Sequence, residues 1–304
     1  MMRISTALAF DRAIDAMNDR QARLVRTQEE LSTGKRLLVA SDDPMGAADA
    51  ERTRSQLRRV ELQQRMNDFA RSILGQAEAT MASVTDLMQT VRETMVQAGN
   101  GSLSPSDRAL LATQVRGYRD ELFGLANRSD AAGGYVFGGQ GSPDAPFDAT
   151  DPVGYQPAPG QQMVGLGNDT PTSLDGRATF MSVQTASGTR SVFEVLDDAI
   201  ALLENRNATG AEVSDGVKAA LDGVDNALEQ VITKRTEIGE HLRAIDSRAR
   251  LAESGSMELQ AHLSELQDLD FAKAISEFTM NQTAQQAAMR TYSEIARMSL
   301  FDYL

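Results

Sequence analysis

The sequence predicts a mainly α protein: an elongated antiparallel helical rod and coiled coil formed by the N- and C-terminal segments, carrying a small β-containing inserted lobe. Three observations predict it. Apolar residues recur every seven positions through both halves of the 304-residue chain, as the seams of paired helices require. That periodicity vanishes between about 131 and 190, where Gly, Pro, Asp and Thr dominate and short strands between turns are expected. Aromatic residues make up only 5% of the chain, with no Trp, so the core must be built from aliphatic and Ala side chains. A thick, aromatic-filled core is not expected.

Residues 5–33 place Phe10, Met17, Leu24 and Leu31 at one position of the seven, with Ala7 and Ile14 at its companion before Gln21 and Gln28 dilute it. This is a helix with one narrow apolar seam. Gly34 ends it, and Ser41-Asp42-Asp43-Pro44 starts a second helix near Pro44, with Pro suited to the first turn. From about 45 to 98 the repeat strengthens, with Val60, Leu74, Met81, Met88 and Met95 at one position and Ala70, Ala77, Val84, Val91 and Ala98 at the other. Asn67 is its polar exception. The turn Gly99-Asn100-Gly101 closes this helix, and Ser104-Pro105-Ser106-Asp107 opens the next, whose stripe is Leu111, Val115, Tyr118, Leu122 and Leu125.

In the aperiodic segment, alternating runs at 161–166 and 178–186 suggest a few strands. Beyond it comes the longest register, through Val217, Val224, Val231, Ile238, Ile245, Ala252, Leu259 and Leu266, with Leu221, Leu228, Arg235, Leu242, Ala249, Ser256 and Leu263 as companions. Unbroken from about 214 to 268, that helix would span on the order of 80 Å; Gly239 and Gly255 leave open a kink or break near Ser254-Gly255-Ser256. At Arg235 and Asn67 the polar side chain either specifies register or lies at the edge of the seam. The last helix sets Phe271, Ile275, Phe278, Gln282, Gln285, Met289, Tyr292 and Ala296 on one stripe, and Leu300, Phe301, Tyr303 and Leu304 keep the chain apolar to its final residue. Such an end is costly unless a partner buries it.

The expected division is therefore a terminal coiled coil from 1–40 with 268–304, a helical rod from 41–135 with 190–267, and a β-rich outer insertion at 136–189. In the terminal coil, Phe10, Ile14, Met17, Leu24 and Leu31 are expected to face Phe271, Ile275, Phe278, Met289, Tyr292, Leu300, Phe301 and Leu304 and to support self-assembly. The rod seam is expected at Leu74, Met81, Val84, Met88 and Val91 against Val217, Val224, Val231, Ile238 and Ile245.

Composition argues against several classes of function. A net charge of −13 repels nucleic acid and anionic membrane surfaces, which both call for a basic face. Zero Cys removes thiolate nucleophiles and Cys-ligated metals. The two histidines, His241 and His262, fall on the solvated flank of the long helix, three heptads apart, too far to share a metal. Thr33-Gly34-Lys35-Arg36 lacks the upstream Gly and following hydroxyl of a phosphate loop, and the Gly-rich run 133–141 follows a helix where a dinucleotide fingerprint follows a strand. Turn and close-backbone roles fit those glycines better. No catalytic, cofactor or metal residue is expected. The N-terminal apolar stretch is too short for a signal-peptide core, and no run reaches the ~18 residues of a membrane span.

The motif set, in its order and spacing, resembles the flagellin superfamily, and within it the flagellin-like subunits at the junction between hook and filament. The residues that carry the resemblance are Met2-Arg3-Ile4-Ser5-Thr6, 31–36, Ala40-Ser41-Asp42-Asp43-Pro44, 97–101, Ala126-Asn127, Gly134-Tyr135-Val136-Phe137-Gly138-Gly139, Pro146-Phe147, Asp270-Phe271-Ala272, 284–288 and 299–304. The resemblance implies terminal helices lining the core of a tube, a helical rod in its wall and the lobe facing outward. It implies a structural subunit that assembles by coiled-coil packing, forms a homo-oligomeric ring and provides the foundation for flagellin polymerisation; the alternative is a minor flagellin within the filament. The implied partners are a second hook-associated protein on the hook side, flagellin on the filament side, and a cytoplasmic export chaperone on the C-terminal helix. The implied route is export through the flagellar type III channel without a cleaved signal.

Overall fold

The structure, a computed structural model, describes residues 2–130, 133–141, 144–150, 152–165 and 170–301; at 2–10 and 295–301 it describes the helical backbone and not the side chains. In chain order the elements are α1 (Met2–Thr33), α2 (Pro44–Ala98), α3 (Pro105–Ala126), β1 (Met163–Val164), β2 (Thr170–Pro171), α4 (Gly176–Phe180), β3 (Val183–Thr185), β4 (Gly188–Arg190), α5 (Val192–Glu204), α6 (Gly210–Gln267) and α7 (Phe271–Phe301). The fold is mainly α with two small antiparallel strand pairs, β1–β2 and β3–β4. Chain contacts divide it into two compact units, residues 61–253 and residues 1–60 with 254–304.

The first of these units holds the core. Leu74, Met81, Met88 and Met95 and the companions Ala70, Ala77, Val84, Val91 and Ala98 are all buried on α2, as are Val217, Val224, Val231, Ile238 and Ile245 on α6. Cross-helix ion pairs mark the antiparallel register: Arg92 with Asp225 (2.6 Å), Glu78 with Arg235 (2.7 Å) and Arg71 with Asp246 (2.7 Å). These pairs are largely exposed, so they report alignment more than they stabilise it. Arg235 thus takes the edge of its seam and reaches a carboxylate, whereas Asn67 is buried with its Nδ2 lacking an acceptor among the described residues. Helix α6 runs without a break through Gly239 and Gly255, where an added Cβ would meet nothing within 4 Å.

α3 begins as its sequence demands. Ser104 accepts from the Asp107 N–H while the Asp107 carboxylate accepts from the Ser104 N–H, closing a capping box ahead of Pro105. α5 has the same device at Ser191 and Glu194. The seven-residue repeat does not mark α5, which its Ser-x-x-Glu box and the run Val192, Phe193, Val195, Leu196 and Ala199 announce instead. Its acid Asp197 holds Arg119 of α3 through two bonds, of 2.9 and 3.2 Å.

One expectation is overturned. Half of the chain's 10 Phe residues, Phe123, Phe137, Phe147, Phe180 and Phe193, converge with Tyr155 in an aromatic knot at the base of the lobe, with ring centroids 4.8–6.3 Å apart. Among the described residues the lobe has only two- and three-residue strands and no periodic apolar face, so large rings fill the volume that helix seams fill elsewhere. Asn127, at the end of α3, fixes the knot by bonding both the N–H and the carbonyl of Phe147, each at 2.9 Å. Gly176 must be Gly here, because a Cβ would lie 2.9 Å from the Phe137 carbonyl oxygen and 2.7 Å from the Tyr155 ring.

Candidate functional site

The unit formed by residues 1–60 and 254–304 is built differently from the rest. Its buried side chains, among the described residues, are Thr27, Ala50, Thr53, Gln267, Ala274 and Gln285, small or polar without exception. None of its large apolar side chains is fully buried among the described residues, and Ile14, Val25, Met45, Met257, Phe271, Ile275, Met280 and Met289 are each at least 42% exposed. Hydrophobic burial is what drives helix pairing, and here most of the driving surface is unspent. Gln285 adds to the imbalance, being buried with its Oε1 lacking a donor among the described residues.

α1 and α7 nonetheless lie side by side. On α1, Met17, Leu24 and Leu31 are half-buried, as the seven-residue repeat predicts. Their companions are Ala13, Arg20 and Thr27 instead of Ile14, Gln21 and Gln28, and Ile14 is 42% exposed. On α7 the inward line is Ala274, Phe278, Asn281, Gln285, Ala288 and Tyr292; Ile275 and Met289 lie off it at 54% and 47% exposure, and Phe271, 51% exposed, sets its ring close to Gly34 at the end of α1. The expected single stripe is therefore split into two faces. A close pairing admits Ala and Thr between the helices and leaves the bulky Ile and Met to the flanks. The outward face of α7 continues through Ser276, Thr279, Met280, Thr283, Ala284 and Ala287, a line of small residues around one exposed Met. The side chains of Phe10, Leu300 and Phe301, and all of Leu304, lie outside the described residues.

The two loops of this unit are tied together. Gly34, at φ +69°, closes α1 and offers its carbonyl to the Leu269 N–H at 3.0 Å. The Arg36 N–H donates to the Gln267 carbonyl (2.8 Å) and its guanidinium to the Leu266 carbonyl (2.8 Å). Arg54 Nη2 donates to Gln267 Oε1 at 2.9 Å, and Lys35 and Asp268 form an antiparallel bridge. The α1–α2 and α6–α7 connections are thus one clasp that sets where both terminal helices begin. The sequence shows both motifs; their 230-residue separation conceals that they are partners.

Electrostatics hold the same clasp. Asp42 accepts from the Val39 and Leu38 N–H groups, at 3.1 and 3.2 Å, and pairs with Arg26 at 3.1 Å. Its carboxyl is held below the ordinary value of 3.8, first by the Val39 N–H and then by the Leu38 N–H and Arg26. A depressed native pKa gives stability that is present above the unfolded value and lost as pH falls through the native one. Helix content is expected to drop on acidification below about pH 4. Asp42→Asn, which keeps an acceptor and loses the charge, is expected to flatten that acid slope in a circular-dichroism titration; superimposable slopes would refute the assignment.

Among the described residues no group of three His, Cys, Asp or Glu side chains converges as a metal would need, and no helix is long and apolar enough to cross a membrane. His262 is exposed and His241 half-buried.

Comparison with known proteins agrees with this geometry. Residues 4–142 match the bacterial flagellin N-terminal helical region, and residues 221–304 match the bacterial flagellin C-terminal helical region. Flagellar hook-associated protein 3 of Salmonella typhimurium is 32% identical over 99% of both chains. Flagellin of Bacillus subtilis is 26% identical over 94% of both. The crystal structure of flagellar hook-associated protein 3 from Legionella pneumophila superposes with a TM-score of 0.66 at 16% identity, covering 71% of this chain and 98% of that one.

Proposed function

Because this chain belongs to the flagellar hook-associated protein 3 family of flagellin-like proteins, we propose that it is the structural subunit that joins hook to filament and founds flagellin polymerisation. The observation that carries the reading is the inverted burial of the terminal unit, in which Ile14, Ile275, Met280 and Met289 are exposed while Thr27, Thr53, Gln267 and Gln285 are buried. Such helices gain their stability from neighbouring copies, each burying apolar area at about 25 cal/mol per Å². In this reading residues 1–40 and 268–304 form the tube core, 41–135 and 190–267 the wall, and 136–189 the outer surface. The subunit works without catalysis, as a homo-oligomeric ring between a second hook-associated protein and flagellin. It reaches the cell exterior through the flagellar export channel, its C-terminal helix held beforehand by a cytoplasmic chaperone.

The test is deletion of the gene, with electron microscopy of the cell surface and an assay of flagellin in the medium. Bare hooks with flagellin shed outside are expected, since export continues and only the foundation is lost. Normal filaments would overturn the junction role. The similarity to flagellin over 94% of the chain favours a minor filament subunit as the second reading, in which purified protein would elongate filament seeds indefinitely.

A further inference from the structure

We propose that Asn100, in the turn between α2 and α3, is a built-in site of spontaneous deamidation and backbone isomerisation. Asn100-Gly101 is the sole Asn-Gly pair in the sequence, and both residues are exposed. Gly101 has no β-carbon to obstruct approach of its backbone nitrogen to the preceding side chain. Among the described residues that N–H donates to no acceptor: the turn is closed around it by the Leu103 N–H on the Asn100 carbonyl at 3.1 Å. The nitrogen that must act as nucleophile is therefore unengaged.

The electrophile is prepared as well. Asn100 Oδ1 accepts two hydrogen bonds from the next residue but one, from the Ser102 Oγ–H at 2.8 Å and from the Ser102 N–H at 3.2 Å. Both donors sit on the oxygen that becomes negative when Cγ is attacked, the arrangement by which enzymes stabilise a tetrahedral intermediate. The Gly101 nitrogen loses its proton to solvent base and bonds to Asn100 Cγ; the Cγ–Nδ2 bond breaks, and ammonia leaves with a proton from solvent. The resulting cyclic imide is opened by water at either carbonyl, giving aspartate or isoaspartate. Either product adds one negative charge two residues beyond the end of α2, where the helix already gathers partial negative charge.

The chain contains its own comparator. Asn205 Oδ1 also accepts from the N–H two residues on, that of Asn207 at 3.0 Å, but Arg206 follows it and no hydroxyl reaches the oxygen. The experiment incubates the full chain at mildly alkaline pH and follows each Asn by peptide mapping and mass spectrometry, reading the ~1 Da gain and the isoaspartyl retention shift. Asn100 is expected to convert many times faster than Asn205, and faster in the folded chain than in the same chain in urea. Ser102→Ala is expected to slow it about fivefold, the effect of one hydrogen bond. Gly101→Ala, where a Cβ would meet nothing within 4 Å, is expected to slow it by about tenfold or more without unfolding the protein, because the Cβ obstructs the attacking nitrogen. Equal rates at Asn100 and Asn205, faster conversion in urea, or an unchanged rate in Ser102→Ala would each overturn the proposal.

Discussion

Replacing Ile275 and Met289 together by aspartate is expected to leave the isolated chain folded while abolishing its incorporation into the flagellum. Both side chains are about half exposed, at 54% and 47%, off the inward line of α7, so a charge at either position can stay in water in the isolated chain. Burying an Ile or a Met contributes about 1.5–3 kcal/mol. With about half of each side chain still exposed, losing both costs about 1.5–3 kcal/mol per subunit contact, or about one to two decades in association. Desolvating two carboxylates adds to this. The measurement pairs circular dichroism of the purified variant with complementation of a deletion strain. Unchanged helix content with bare hooks is the expected result. A variant that assembles normally would mean that this face is not the interface, and one that loses helix content would mean that it packs internally.

Replacing Phe147 by Ala is expected to give the largest loss of stability from a single substitution in this chain. The ring is 1% exposed and lies 5.1–5.8 Å from those of Tyr155, Phe180 and Phe193, so its removal takes several edge-to-face contacts and leaves a cavity. Substitutions of this kind cost about 3–5 kcal/mol. Phe147→Leu, which keeps most of the volume, is expected to cost about 1–1.5 kcal/mol. Urea unfolding followed by circular dichroism reads the loss. A cost under about 1 kcal/mol for the Ala variant would show that the rings do not form one packed unit.

The two predictions fall on opposite sides of what periodicity can reveal. From Ala70 to Ala98 on α2 and from Val217 to Ile245 on α6 the main seven-residue register and the burial coincide, but the companion line of α6 is only half-buried at Leu221, Leu228 and Leu242, and Ala220 and Ala227 are buried beside it. The Phe147 knot has no period at all. Its rings come from positions 123 to 193, brought together by turns whose geometry depends on Asn127, Gly139 and Gly176, and sparse aromatics read as composition suggested no such core. In the terminal unit the pattern was half legible. Met17, Leu24 and Leu31 face inward as their spacing says, but the choice between Ala13-Arg20-Thr27 and Ile14-Gln21-Gln28 as companions turns on how closely α7 approaches, and hydrophobicity alone favours the wrong flank.

What the sequence by itself determined is the boundaries of the long helices, the seven-residue register they carry and the family. Capping residues, Gly and Pro stops and heptads act through local backbone energetics and one-dimensional spacing, both of which a sequence displays directly. What only the tertiary structure decided is the clasp between Gly34-Lys35-Arg36 and 266–269, the aromatic knot, and the outward face of α7. Each depends on which distant groups meet, and a pairing across 230 residues leaves no periodic trace in either partner.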